Sequence, residues 1–244
     1  MKNISWLNIW INIRLVLIIL AVIFLFSFTS DRNSKRRLQK SVVEFVGEDN
    51  QFVARQTVNN LLICNADSAS ALQKLNIDLN KLEKTIDNHS MISKSEVYVT
   101  IDGVLKTVVV QKTPMVRVFS SKSSFYIDYQ GDTMPLSKLH SARILSVSGE
   151  FDSKKNSKIV DLFRFIYEDN FLKKNIIAIH FLSNGDLKMQ SRNHDYELDF
   201  GKPINVEQKF NNYKAFFQKA VQDSTINNYK KITLKFNNQV VCTK

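Results

Sequence analysis

Few residues of this 244-residue chain have the types and spacings that bond chemistry needs. Its four histidines, His89, His140, His180 and His194, share no metal-ligand spacing with one another or with the two cysteines. No nucleophile elbow, H-E-x-x-H, phosphate loop or dinucleotide loop occurs. Glu168 and Asp169 read as a solvated helix end rather than an acid and base pair. Cys64 and Cys242 fall in different predicted modules. Cys64 reads as a buried thiol, and pairing with Cys242 in an oxidising compartment is the disfavoured alternative. The sequence therefore predicts no catalytic residue, no metal and no cofactor, and a chain that is not an enzyme.

Main-chain chemistry is a different matter. Ile232, Thr233, Leu234, Lys235 and Phe236 alternate apolar and polar, the pattern of a half-buried strand. At the end of a sheet such a strand leaves N–H and C=O groups to which another chain can add. Ile232, Leu234 and Phe236 share one face; Thr233 and Lys235 share the other. Ile232 and Leu234 read as core anchors. Phe236 reads either as a further core aromatic or as a partner contact. Thr233 and Lys235 read either as a solvated face or as part of the same contact.

The elements that would position this strand start with an apolar stretch over residues 9–28. Twenty helical residues rise about 30 Å, the thickness of a hydrocarbon core. Arg14 can snorkel to the near interface, and Trp6 and Trp10 suit an interfacial belt. A cleavable signal peptide is the rival, but Ser27-Phe28-Thr29-Ser30 matches a small-residue cleavage site poorly. The reading is an uncleaved transmembrane anchor at 9–29. A short N-terminus (1–8) precedes it and a basic linker (30–38) follows.

A first module at 39–113 reads as β-α-α-β-β. Its parts are a strand at 41–46, a helix at 52–63 and a loop at 68–73. A second helix follows, with Asp78 as N-cap and Ile77 and Leu82 as a hydrophobic staple. Two strands then flank the Asp102-Gly103 turn. Pro114 opens a second, β-rich module at 114–244 with two helices. One helix carries Ile159, Leu162, Phe163 and Ile166 on a face, with Asp152 or Ser153 as cap. The other carries Val206, Phe210, Tyr213 and Phe217. Asn184-Gly185 is the clearest hairpin turn. The expected fold class is α+β.

The formal net charge is +11, of which +6 sits in residues 1–40. Arg32, Lys35, Arg36, Arg37 and Lys40 lie beside the apolar span, where basic residues meet lipid headgroups. No aromatic-basic stripe accompanies the charge, so the sequence predicts membrane-surface contact and no nucleic acid. The basic flank, read by the positive-inside rule alone, would put the long C-terminal part in the cytoplasm.

Several segments resemble the bacterial division family FtsQ/DivIB, in the form found in Bacteroidetes-type bacteria. Asn88-His89-Ser90-Met91-Ile92-Ser93-Lys94-Ser95-Glu96-Val97-Tyr98 resembles the family's stretch between a POTRA helix and strand. Val110-Gln111-Lys112-Thr113-Pro114-Met115-Val116-Arg117 resembles its interdomain junction. Asp128 through the turn to Pro135 is similar to its D-x-x-G-x-x-x-P turn. Leu198-Asp199-Phe200-Gly201 leading to Lys209-Phe210 is similar to the start of its penultimate helix, and residues 231–244 to its final strand. The resemblance implies one transmembrane helix, a POTRA-like domain and a C-terminal β domain. It implies a non-enzymatic bitopic protein of the inner membrane, N-terminus cytoplasmic and bulk periplasmic, against the charge count. Its place would be the division septum, linking small bitopic FtsB/FtsL-like partners in the complex that controls peptidoglycan synthesis. Strand addition would run along Ile232, Thr233, Leu234, Lys235 and Phe236. No small-molecule substrate is implied. The alternative is a POTRA-containing membrane chaperone or translocation factor for secreted or outer-membrane chains.

Overall fold

The computed structural model describes residues 6–34, 40–47, 52–65, 78–120, 123–149, 157–236 and 239–244. It is an α+β protein. Helix α1, Trp6–Ser34, contains a 21-residue stretch, Asn12–Arg32, long and apolar enough to cross a membrane. None of that stretch is buried within the protein. The helix continues through the start of the predicted linker, so Asp31 and Arg32 are helical. Lys35, Arg36 and Arg37 lie outside the described residues; Lys40 is exposed at the start of the next strand.

Beyond the helix the chain divides into two compact units, 1–47 with 54–110 and 48–53 with 111–244. The first contains β1 (Lys40–Val46), α2 (Arg55–Asn65), α3 (Leu79–Asp87), β2 (Ile92–Val99) and β3 (Val104–Gln111), in the expected β-α-α-β-β order. Its sheet runs β1-β3-β2, with β1 parallel to β3. A parallel pair needs a long crossover, and α2, α3 and β2 supply it. Ser95 and Val97 of β2 and Leu105, Thr107 and Val109 of β3 are buried at alternate positions, so one face carries the core with Val58, Leu62, Leu82 and Ile86 of the helices. Asp78 caps α3 as predicted, accepting the Lys81 N–H at 3.0 Å. The staple partner Ile77 and the loop at 68–73 lie outside the described residues.

Helix α2 starts three residues later than its apolar periodicity suggests. Phe52 and Val53 belong to the second unit, where Phe52 packs edge-on against Tyr126 and His140. The Gln111 side-chain oxygen accepts both their N–H groups, at 2.7 and 3.1 Å. These contacts hold Phe52 and Val53 in the second unit.

The second unit adds β4 (Pro114–Phe119), β5 (Ser124–Asp128), β6 (Thr133–Met134), β7 (Leu145–Gly149), α4 (Ser157–Glu168), α5 (Asn170–Asn175), β8 (Ile176–Phe181), β9 (Leu187–Ser191), β10 (Glu197–Gly201), α6 (Val206–Gln222), β11 (Lys231–Thr233) and β12 (Val241–Thr243). They form a nine-stranded sheet in the order β12-β11-β10-β9-β8-β7-β4-β5-β6. Three of its pairs are parallel, β4–β7, β7–β8 and β10–β11, and the last two are bridged by α4 with α5 and by α6. The apolar faces of α4 and α6 bury Phe163, Ile166, Phe210 and Tyr213 in one core with Val147, Ile179, Met189 and Leu198 of the strands. The predicted caps of α4, Asp152 and Ser153, lie outside the described residues. Helix α5 was not expected: Asp169 ends the preceding helix and caps this one, accepting N–H bonds from Phe171 and Leu172. Strand β4 was also missed, because Pro114 reads as punctuation; as the first residue of a strand proline is tolerated.

The D-x-x-G-x-x-x-P turn is held from within. Asp128 is fully buried, accepts the Asp132 N–H at 2.8 Å and pairs with Lys112 at 2.9 Å. Arg164 of α4 donates to the carbonyls of Tyr129 and Gln130, docking the turn on the helix.

One glycine constrains the sheet. Gly149 has φ +97°, and a Cβ there would stand 2.1 Å from the Phe181 carbonyl oxygen of the neighbouring strand. Gly149→Ala should cost about 3 kcal/mol or more, from left-handed strain plus a clash that backbone must relieve. Gly185→Ala, with φ +81° and open space around it, should cost about 1 kcal/mol. Urea unfolding of the two variants measures the difference directly.

Candidate functional site

The sequence places a binding edge on residues 232–236; the structure gives the position of that segment in the sheet. Regular strand ends at Thr233, and β11 is interior. On one side it pairs parallel with β10, Ile232 opposite Leu198 and Thr233 opposite Asp199. The Leu234 N–H extends this pairing, donating to the Asp199 carbonyl at 2.8 Å. On the other side β12 lies antiparallel, with Ile232 opposite Cys242 and Thr233 opposite Val241. Strand β12, Val241–Thr243, covers the edge that alternation alone leaves open. The free end of the sheet on this side is β12.

Ile232 and Leu234 are buried in the core, as their alternation suggests. Thr233 is half-buried. Phe236, beyond the end of β11, is 49% exposed, and Val241, on the terminal strand, 42%. Val240 and Cys242 are half-buried against the core. Burial pushes the Cys242 thiol up in pKa, which keeps it protonated and weakly nucleophilic. The side chain of Cys64 lies outside the described residues.

Lys235 is not simply solvated. It bridges Asp186 at 3.1 Å and Asp199 at 3.2 Å, and Asp199 also pairs with Lys231 at 3.0 Å. The hydrogen bond to Asp186, then the one to Asp199, raise the Lys235 pKa. Asp199 itself is almost wholly buried. Burial pushes its pKa up, but the bonds from Lys231 and Lys235 outweigh it and hold the carboxyl below its ordinary range. Lys188 and Glu197, at 2.8 Å, extend this ladder of charge across neighbouring strands. The Lys235 stem lies over Gly201, where an added Cβ would stand 2.8 Å from its Cγ.

Sequence reasoning missed the role of Lys209, on the first turn of α6. Its ammonium is buried and donates at 2.9 Å to the carbonyls of both Phe200 and Lys202, with the Phe200 ring 4.7 Å away. Burial lowers its pKa. It ties the end of β10 to α6 and so fixes the strand beside β11. The spacing from Phe200 to Lys209 was visible, but nothing in it told a buried amine from a solvated one.

The residues considered for catalysis are dispersed. His89 accepts the Met91 N–H, His140 packs on Phe52, and His194 stacks on Tyr196. His180 shares a 2.9 Å hydrogen bond with Ser148, its register partner across β7–β8. Among the described residues no three His, Cys, Asp or Glu side chains gather as a metal site. Glu168 accepts the Tyr129 hydroxyl proton, whereas Asp169 caps α5 and pairs with Lys214. The two carboxylates serve separate structural contacts.

The first unit presents β1 and β2 as its sheet ends. Helix α3 screens β2: Glu83 accepts the Val97 N–H at 2.7 Å, and Asp87 accepts the buried Ser95 hydroxyl at 2.7 Å. That edge is partly occupied from inside the chain.

The ladder around Asp199 gives a pH signature. A carboxyl whose folded pKa is depressed adds stability above its unfolded value, about 4, and loses it as pH falls through the folded value. Asp199→Asn should cost about 2 kcal/mol at neutral pH. The gap from the parent should close below about pH 4. Chemical denaturation at a series of pH values checks both.

Compared with known proteins, residues 113–243 match the family model described as FtsQ/DivIB, C-terminal related. No curated protein matches the chain.

Proposed function

We propose, for a chain that belongs to the FtsQ/DivIB C-terminal related family, that it is a single-pass scaffold which links other division proteins by lending them a sheet edge. A cell division role follows from the family, which is one of non-catalytic division proteins. The observation that carries the finer reading is the β12 end of the nine-stranded sheet. It is a terminal strand with apolar Val241 and Phe236 exposed beside it, on a strand pair locked to the core by Ile232, Leu234 and the Asp199 ladder. Strand addition draws affinity from main-chain hydrogen bonds and specificity from side chains flanking the new strand. The partner-facing set is thus Val241 and Phe236, with Thr233 and Lys235 behind the edge rather than on it. The partners are small bitopic proteins of the FtsB/FtsL kind.

Helix α1 anchors the protein in the inner membrane, with its N-terminus in the cytoplasm and its bulk in the periplasm at the septum. Arg32, Lys35, Arg36, Arg37 and Lys40 meet anionic headgroups there. The β-α-α-β-β unit acts as a POTRA domain. A chaperone or translocation role has less support: the second unit is an open sheet with two ends, backed by helices on a core face, and not a barrel.

Two outcomes follow. Phe236→Asp and Val241→Asp should each cut recovery of FtsB/FtsL-like partners from septal membranes about tenfold without lowering the melting temperature, since both side chains are largely exposed. Recovery that is unchanged, or lost only together with the fold, refutes the edge. In intact spheroplasts, added protease should digest residues beyond 40; protection until lysis would place the bulk in the cytoplasm.

A further inference from the structure

The sheet of the first unit runs β1-β3-β2, so β1 is one of its ends. On one side β1 pairs with β3, from Lys40 opposite Val104 to Val46 opposite Val110. Among the described residues no strand pairs with its other side. Such an end leaves N–H and C=O groups open to a further strand, and its side chains decide which strand. Val43 is buried in the core, and alternation puts Lys40, Val42, Glu44 and Val46 together on the opposite face. Lys40 is exposed, Val42 is half-buried, and the Glu44 side chain is 53% exposed. A lysine and a glutamate thus stand in one row, four residues apart, with Val42 midway between them. A row of one sign would repel a second copy of itself. This row is its own complement: turned end for end about Val42, Lys40 falls opposite Glu44 and Glu44 opposite Lys40.

We infer that β1 pairs antiparallel with β1 of a second copy of this chain, about a dyad at Val42. Two-fold symmetry requires the antiparallel sense, since a residue i that faces j must find j facing i. The pairing sets Val42 against Val42, Ser41 against Val43, and Lys40 against Glu44 twice. Residues directly opposed in an antiparallel pair point to the same face with Cβ atoms about 5 Å apart, close enough for both ion pairs. Glu44 has Lys106 of its own sheet at 3.2 Å, yet keeps half its side-chain surface for a second cation. A dyad one residue later, at Val43, puts Val42 opposite Glu44 and Lys40 opposite Val46, which pairs no charge. A strand of unrelated sequence gains the same main-chain bonds without the two ion pairs, and this difference selects the second copy. The other end of the sheet, β2, is less open: Glu83 and Asp87 of α3 engage Val97 and Ser95. The β1 surface shares no residue with the β12 edge, and it gives Lys40 a partner more specific than a lipid headgroup.

The test uses the full chain in membranes with Val42→Cys as the probe. At the dyad two such thiols stand within disulfide reach, so mild oxidation should give a covalent dimer on a non-reducing gel. The parent chain and Glu96→Cys, exposed on β2, should not give it. On the Val42→Cys background, Lys40→Glu and Glu44→Lys should each lower the dimer yield about tenfold, because each sets like charges opposite one another twice. Co-expression of the two, one copy carrying each substitution, restores opposite charges at both places and should recover the yield. That recovery also shows that both variants fold, and a headgroup contact by Lys40 does not produce it. Val241→Asp should leave the dimer unchanged, which separates this surface from the β12 edge. Oxidation without a dimer, equal yield from the parent or from Glu96→Cys, or a mixture no better than its two components overturns the inference.

Discussion

Backbone N–H and C=O groups that a sheet leaves unpaired are the constraint to which most of this molecule answers. The nine-stranded sheet and the three-stranded sheet each have two ends, and an end is a place where another chain can bind, wanted or not. At β2 the protein answers with side chains: Glu83 and Asp87 of α3 reach over and engage Val97 and Ser95. Beside β11 it answers with its own C-terminus, which returns as β12. At the end of β10 Lys209 of α6 donates to the Phe200 and Lys202 carbonyls. At β12 the exposed Val241 lies on the terminal strand itself.

The energetics of the β10–β11 region follow from the same geometry. Burying Asp199 and Lys209 is costly, and neither would be tolerated without partners. Asp199 has two ammonium groups, whereas Lys209 has two carbonyls and an aromatic face. Both sets of bonds cross element boundaries, from β10 to β11 and from β10 to α6. Their net stabilisation is modest, but geometric error is punished, because losing one partner strands a desolvated charge. The strand pair that supports β12 is therefore held in one register by polar bonds as well as by the apolar packing of Ile232 and Leu234.

Local chemistry was legible in the sequence. The turns at Asp102-Gly103 and Asn184-Gly185, the Asp78 cap and the apolar faces of α4 and α6 depend on residues within a turn or two of each other. The structure has them where the residues put them. What failed depended on distant partners. Phe52 continues the apolar period of α2 but finds its aromatic neighbours more than seventy residues away. The alternation from Lys231 to Phe236 correctly separates buried from exposed side chains as far as Leu234. A period of two cannot say whether a strand is an edge or an interior member, because that depends on where residues 241–243 go. Lys209 was unreadable for a similar reason: only the fold desolvates it.

The distribution of charge in the second unit bears on what kind of protein this is. An active site gathers titratable groups into a cleft and leaves their partnerships unsatisfied, so that burial and like charge can tune them. The most buried carboxylates, Asp128 and Asp199, are instead paired with lysines, Asp128 with Lys112 and Asp199 with Lys231 and Lys235. Buried charge in this unit therefore joins elements of the fold to one another.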